Sequence, residues 1–262
     1  MLGSLPASDS VLPRHVDLRD DDEGLYFSPP DNQGRLHASS TFACLALIEY
    51  FERRTMGRTF DGSALFLYEM ARKLAGVTGN SSVGIRATLK ALRQCGAPPE
   101  EMWPYRDAPL DEAPAHASLL GFSQPLSGMV YFRLDPPEQS GSHNLALLKS
   151  FLAAGFPVAL GFTVPRSLTD DGLIPYRPKF DSYRGGQTVL AVGYDDQQTN
   201  ANHGALLVRS SWGPNWGDAG YGWLPYAMVT HRQAADLWTV VSKDWISGYV
   251  LNAPTVSVET QI

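Results

Sequence analysis

The hydrophobic period changes once along this 262-residue chain, and that change restricts the fold more than any composition figure. Before Pro125 the apolar residues recur at helical spacing: Phe42, Leu45, Ile48 and Phe51, then Leu65, Tyr68 and Leu74, then Ile85, Leu89 and Leu92. After Pro125 the pattern is extended. Met129 to Leu134, Pro157 to Phe162, Thr188 to Tyr194, Ala205 to Ser210 and Tyr221 to Leu224 read as strands, with one helix from about Asn144 to Ala154. Helices first and strands second imply an α+β arrangement, and 44% hydrophobic residues over this length can bury a sizeable core.

Three glycine-bearing segments punctuate the pattern. Asn32 to Ala43 (NQGRLHASSTFA) reads as a loop leading into a helix that begins near Ser39; Gly185 to Tyr194 (GGQTVLAVGY) reads as a strand; Val208 to Gly222 (VRSSWGPNWGDAGYG) reads as a strand, a turn and the start of another strand. In this order and at these separations they resemble the three catalytic motifs of papain-like cysteine peptidases. Gln33, six residues ahead of Ser39, matches the oxyanion-hole glutamine, and Ser39 stands at the cysteine that opens the central helix. Gln187 stands at the histidine of G-H-A-V-x-x-V-G-Y, and Ser210 at the asparagine of N-S-W-G-x-x-W-G-x-x-G-Y. Ser63 to Leu74 and Gly84 to Tyr105 are similar to the helical half of bacterial members, and the likeness runs roughly from Leu12 to Val240.

The resemblance implies a papain-like α+β domain over about 12–240. A mainly helical lobe (about 12–125) and a mainly β-barrel lobe (about 126–240) would flank a groove into which the central helix points its N-terminus. Residues 241–262 form an extension outside the resemblance. Trp245, Tyr249 and the Val256-Ser257-Val258-Glu259 alternation suit a strand on an edge or a partner, packing back on the domain, or disorder. About ten residues precede Leu12, where the family's zymogens carry a long inhibitory prosegment.

The chemistry of a cysteine peptidase needs a thiolate held by an imidazolium. Ser39 supplies an alcohol, Gln187 a carboxamide without useful basicity, and Ser210 a second alcohol that can accept the Gln187 amide in a neutral Ser-Gln-Ser chain. From these residue types the expectation is a chain that is not an enzyme: a pseudopeptidase with no catalytic residues, binding a peptide or protein partner as a scaffold component. The alternatives are a hydrolase or acyl transferase using Ser39, or a cysteine peptidase inactivated by engineering. Expected ligand-binding positions are Gln33, His37, Ser39, Val83, Gly84, Gln187 and Trp212. His37 reads either as a solvated loop histidine or as a replacement base for Ser39. The groove-wall glycine of the family falls at Val83 or Gly84, and Val83 there would narrow the channel. Trp212 and Trp216 are expected to keep packing roles.

Cys44 and Cys95 read as buried small hydrophobes and give no disulfide framework, which favours a reducing cytoplasm. His203 reads as exposed in a turn, and His15, His116, His143 and His231 lack metal-ligand spacing, so no metal or other cofactor is expected. A net charge of −6 and a pI near 5.5 argue against a nucleic-acid partner, and no apolar run is long enough for a membrane span. The cluster Arg19-Asp20-Asp21-Asp22-Glu23 reads as a solvated loop.

Overall fold

The computed structural model describes residues 12–21, 24–107, 119–120, 122–198, 204–243 and 245. Among the described residues the first half holds the helices α1 (Ser39–Met56), α2 (Ala64–Ala75) and α3 (Ile85–Cys95). Helix α1 is buried without a break from Ser40 to Phe51. A helix enclosed on every side belongs at the centre of a protein, and α1 touches α2, α3, β5 (Val158–Pro165) and β6 (Tyr183–Asp195). It ends at Gly57, whose left-handed backbone turns its N–H back to the Arg53 carbonyl. Ser63 caps α2 by accepting the Phe66 N–H, while its own hydroxyl donates to the Trp103 carbonyl at 2.8 Å. Helix α3 buries Ile85, Thr88, Leu89 and Leu92, the one-sided stripe of a helix lying against a core.

The second half forms an antiparallel sheet in the order β4-β9-β5-β6-β7-β8, where β4 is Met129–Arg133, β7 Ala205–Arg209, β8 Tyr221–Pro225 and β9 Ala234–Ser242. The short strand β1 (His15–Asp17) joins it against the far end of β6, in register His15 with Asp195. Two further helices, α4 (Gly141–Ala153) and α5 (Tyr226–Thr230), complete this half. The five strands and the helix expected after Pro125 are all present, with shifted ends.

Two expectations need correction. The sheet is not a closed barrel: β4 and β8 are the ends of an open path, and neither pairs with the other. The acidic cluster at 19–23 is not simply a loop, because Asp20–Asp21 (β2) pairs with Gly24–Leu25 (β3) as a two-stranded ribbon. The stretch after Val240 begins by packing back on the domain: β9 runs to Ser242, and the buried Trp245 stacks on Phe51 of α1 at 4.7 Å with its Nε1 donating to Glu52 at 2.8 Å. Tyr249 and Val256 to Glu259 lie outside the described residues.

Candidate active site

The N-terminus of α1 and the buried end of β6 bring the first two motifs together. Ser39 is the first residue of α1, and its Oγ accepts the backbone N–H of Thr188 at 3.2 Å. The contact leaves the hydroxyl proton of Ser39 free to donate. The N–H groups of Thr41 and Phe42 donate to the Ala38 carbonyl at 2.9 and 3.3 Å, which leaves those of Ser39 and Ser40 as the donors at the open end of α1. Ser40, behind it, accepts the Thr88 hydroxyl at 3.2 Å, which ties the start of α3 to the start of α1.

Gln33 is the most heavily fixed residue of the site. Its backbone N–H donates to the Ser211 carbonyl at 2.8 Å, and its carbonyl accepts the Tyr105 hydroxyl at 2.5 Å. Its side-chain Nε2 donates to the Leu36 carbonyl at 2.9 Å, and its Oε1 accepts both Gln187 Nε2 at 2.8 Å and the Ser211 hydroxyl at 2.6 Å. Gln187 Nε2 also donates to Ser211 Oγ at 3.2 Å. Two carboxamides and one hydroxyl thus close a buried ring, and one Nε2 proton of Gln33 remains for a ligand carbonyl.

The expected Ser39-Gln187-Ser210 chain is replaced by this arrangement. Ser211, not Ser210, meets the Gln187 amide; Ser210 is buried, donates its N–H to the Gly220 carbonyl, and accepts the Trp212 N–H at 3.3 Å with its own hydroxyl. Sequence reasoning passed over Ser211 because it stands beside the position that matched the motif. The alternation of side chains at the end of a strand decides which of two neighbours faces the site.

His37 is exposed, and among the described residues no hydrogen bond joins it to Ser39; its backbone N–H donates to Asn80 at 2.8 Å. Asn80 also accepts the Tyr68 hydroxyl and donates to the Arg35 carbonyl, clamping the loop before α1 to the loop before α3. Asp107 does the same from another side by accepting the Arg35 N–H at 2.8 Å. A side chain at Gly34 would meet Asp107 at 2.4 Å, and Gly34 holds φ +52, so glycine is required there twice over. Val83 turns its side chain into the core, whereas a Cβ at Gly84 would meet nothing within 4 Å. The narrowing expected from Val83 is therefore absent.

Trp212 packs edge-on to Phe162 and Trp216, and Trp216 donates Nε1 to the Thr169 carbonyl at 3.2 Å. Cys44 is fully buried and burial pushes its thiol up, as it does for the half-buried Cys95. Neither approaches thiolate character. Among the described residues no cluster of three or more His, Cys, Asp or Glu side chains could hold a metal, and no helix is long and apolar enough to cross a membrane. His116 and His203 lie outside the described residues.

Comparison with known proteins places this geometry. The sequence profile described as papain family cysteine protease matches residues 12–235. An uncharacterized peptidase C1-like protein of Acanthamoeba polyphaga mimivirus is 28% identical over 80% of this chain and 68% of its own length. Cysteine protease 1 of rice (Oryza sativa subsp. japonica) is 30% identical over 80% of this chain, which spans only 40% of that protein. The crystal structure of xylellain, a cysteine protease from Xylella fastidiosa, superposes with a TM-score of 0.73 at 29% identity, covering 92% of this chain and 91% of xylellain. These relatives are named as proteases or as peptidase-like. The expectation that the chain is not an enzyme is overturned on that finding, which points to an enzyme rather than an inactive relative. The match over residues 12–235 and the shared fold make the conclusion plain: this chain belongs to the papain family of cysteine proteases.

Proposed function

We propose that the chain is a peptide-engaging acyl hydrolase of this family whose chemistry runs through the Ser39 hydroxyl, and that it turns over slowly while holding its peptide. The observation that carries the reading is the position of Ser39 at the first turn of α1, with its Oγ against the Thr188 N–H and the Gln33 carboxamide held rigid nearby. In this reading Gln33, His37, Ser39, Gly84, Gln187 and Trp212 line the seat of an extended peptide. The carbonyl of the reacting bond meets the α1 N–H groups and the remaining Gln33 proton, the donor type that stabilises an oxyanion.

The step is a simple displacement. Ser39 Oγ bonds to the carbonyl carbon, the bond to the leaving amine or alcohol breaks, and the hydroxyl proton passes through solvent to the leaving group. Water then releases the acyl group from Ser39. A positioned base ordinarily contributes about 10²- to 10⁴-fold, and Gln187 has no proton affinity to supply it. Slow turnover follows from that substitution.

Hydrolysis of a fluorogenic peptide and of the matching activated ester by purified protein tests the reading. Ester cleavage faster than amide cleavage, with both lost in Ser39→Ala, supports it. Binding without any Ser39-dependent cleavage of either substrate rejects the acyl-transfer reading.

A further inference from the structure

The limb Arg177–Arg184, where the β5–β6 connection enters β6, carries three cations and one carboxylate in a chain whose net charge is −6. Arg166, Arg177, Lys179 and Arg184 are all exposed, and among the described residues none of them forms an ion pair. The carboxylates of the connection are used differently. Asp181 accepts the Ser167 hydroxyl, the Ser167 N–H at 3.3 Å and the Ser182 N–H at 2.8 Å, so its charge is committed to the loop's own backbone. Asp171 accepts the Leu173 N–H at 2.9 Å, and Asp170 stands exposed on the limb that docks against Gly217 through its carbonyl. The limb from Arg177 to Arg184 is left cationic.

At its tip stands Phe180, 90% exposed, the most exposed large apolar side chain among the described residues. It is not on a loose strand of chain. The N–H groups of Phe180 and Asp181 both donate to the Arg177 carbonyl, at 3.0 and 2.9 Å, and Arg166 donates to the Ser182 carbonyl at 2.8 Å. Tyr183, also exposed, has its hydroxyl on Gln233 at 2.5 Å. Hydrogen bonds here hold an aromatic ring in water, an arrangement expected of a contact residue rather than of a core residue.

Strand β6 leads from this turn to the site. Tyr183 opens the strand and Gln187 lies four residues on, a distance of roughly 13 Å at about 3.3 Å per residue. A bulge between Tyr183 and Gly186, where Gly185 holds φ +144, interrupts the alternation of β6 before it reaches Gln187. A Cβ at Gly185 would meet nothing within 4 Å, so the strand surface beside the turn is open.

We propose that the Arg177–Arg184 turn is the docking element for an acidic peptide, with Phe180 taking one apolar side chain and Arg177, Lys179 and Arg184 taking neighbouring carboxylates. The inference rests on the reading that the groove at Ser39 holds a peptide, and it names the class of peptide. Charge complementarity selects this occupant: three unpaired cations and one ring fit an acidic, apolar-bearing segment and repel a basic one.

Fluorescence anisotropy with two labelled twelve-residue peptides tests it. One carries Glu residues flanking a Leu; the other carries Gln at the same places. The acidic peptide binds more tightly, its affinity falls as salt rises, and the double reversal Arg177→Glu, Lys179→Glu weakens it by about tenfold or more while changing the Gln peptide by less than about twofold. Phe180→Ala weakens both. Equal binding of the two peptides, or a reversal that leaves the acidic affinity within about twofold, overturns the inference and leaves the groove reading standing. Failure of both peptides to bind at all overturns both.

Discussion

Gln187 donates its Nε2 to the Oε1 of Gln33 at 2.8 Å, joining two motifs 154 residues apart in the chain. In this contact the residue at the histidine position is turned toward the oxyanion-hole glutamine and toward Ser211. The site spends its polar capacity on internal order.

Restoring the family residues reverses that choice. The combined change Ser39→Cys, Gln187→His, Ser210→Asn is expected to raise peptide cleavage by at least about 100-fold, because it returns a thiolate and a proton acceptor together. The pH profile distinguishes the two chemistries. Gln33, Ser39, Gln187, Ser210 and Ser211 hold no group that titrates near neutrality, so the unaltered protein's rate rises steadily with pH. The restored variant gives a bell. Steady-state rates from pH 5 to pH 9 on both proteins check this.

Ser211 is expected to matter more than Ser210. Ser211→Ala removes a hydroxyl that donates to Gln33 and accepts from Gln187, leaving the buried ring incomplete at a cost of about 1–3 kcal/mol. Ser210→Ala removes one acceptor of a backbone N–H and costs about 1 kcal/mol. Urea titration of the two variants ranks them, and a larger loss for Ser210→Ala would contradict the ring.

Much of this architecture is legible in the sequence. Helix α1 starts at Ser39 as its spacing implies, because an enclosed helix must be apolar on every face and the run from Phe42 to Phe51 nearly is. Strand β9 escaped notice. Ala234 and Ala235 carry little strand signal, and Asp236 holds φ +60, so the alternation that would mark the strand is interrupted at its start. The three residues of β1 are too few to show a period. Ser211 was missed for a one-residue reason, since adjacent side chains at a strand end face opposite ways. The absence of an enzyme was inferred from residue types alone, and the family relationship overturned it.

Trp245 anchors the end of the described chain. It is 2% exposed, stacks on Phe51 and donates to Glu52, so Trp245→Ala removes a buried ring from the side of the central helix. The expected loss is about 3–5 kcal/mol, measured as a fall in the denaturation midpoint. A change under about 1 kcal/mol would mean the contact is marginal.

A small cavity of about 70 Å³ behind the site is lined by Asp31, Glu49, Asp61, Glu100 and Arg209. Burial pushes the carboxyls of Glu49 and Glu100 up, with the Arg209 charge opposing this for Glu49 and backbone hydrogen bonds for Glu100. A carboxyl raised on folding binds its proton more tightly in the folded state. Its contribution is therefore fully present below the ordinary carboxylate range and is lost as pH rises through the raised values. The thermal midpoint should fall as pH rises above the ordinary carboxylate range, by roughly 2–4 °C for each kcal/mol lost. Glu49→Gln should flatten that fall, read by calorimetry across the same rise in pH.

The most direct test is the intact mass of the protein after incubation with a peptide carrying an activated ester. Acyl transfer through Ser39 predicts an added mass equal to the peptide acyl group, located by fragmentation to Ser39, absent in Ser39→Ala and decaying slowly in water. Product release with no adduct at Ser39, or the same rate in Ser39→Ala, would contradict it.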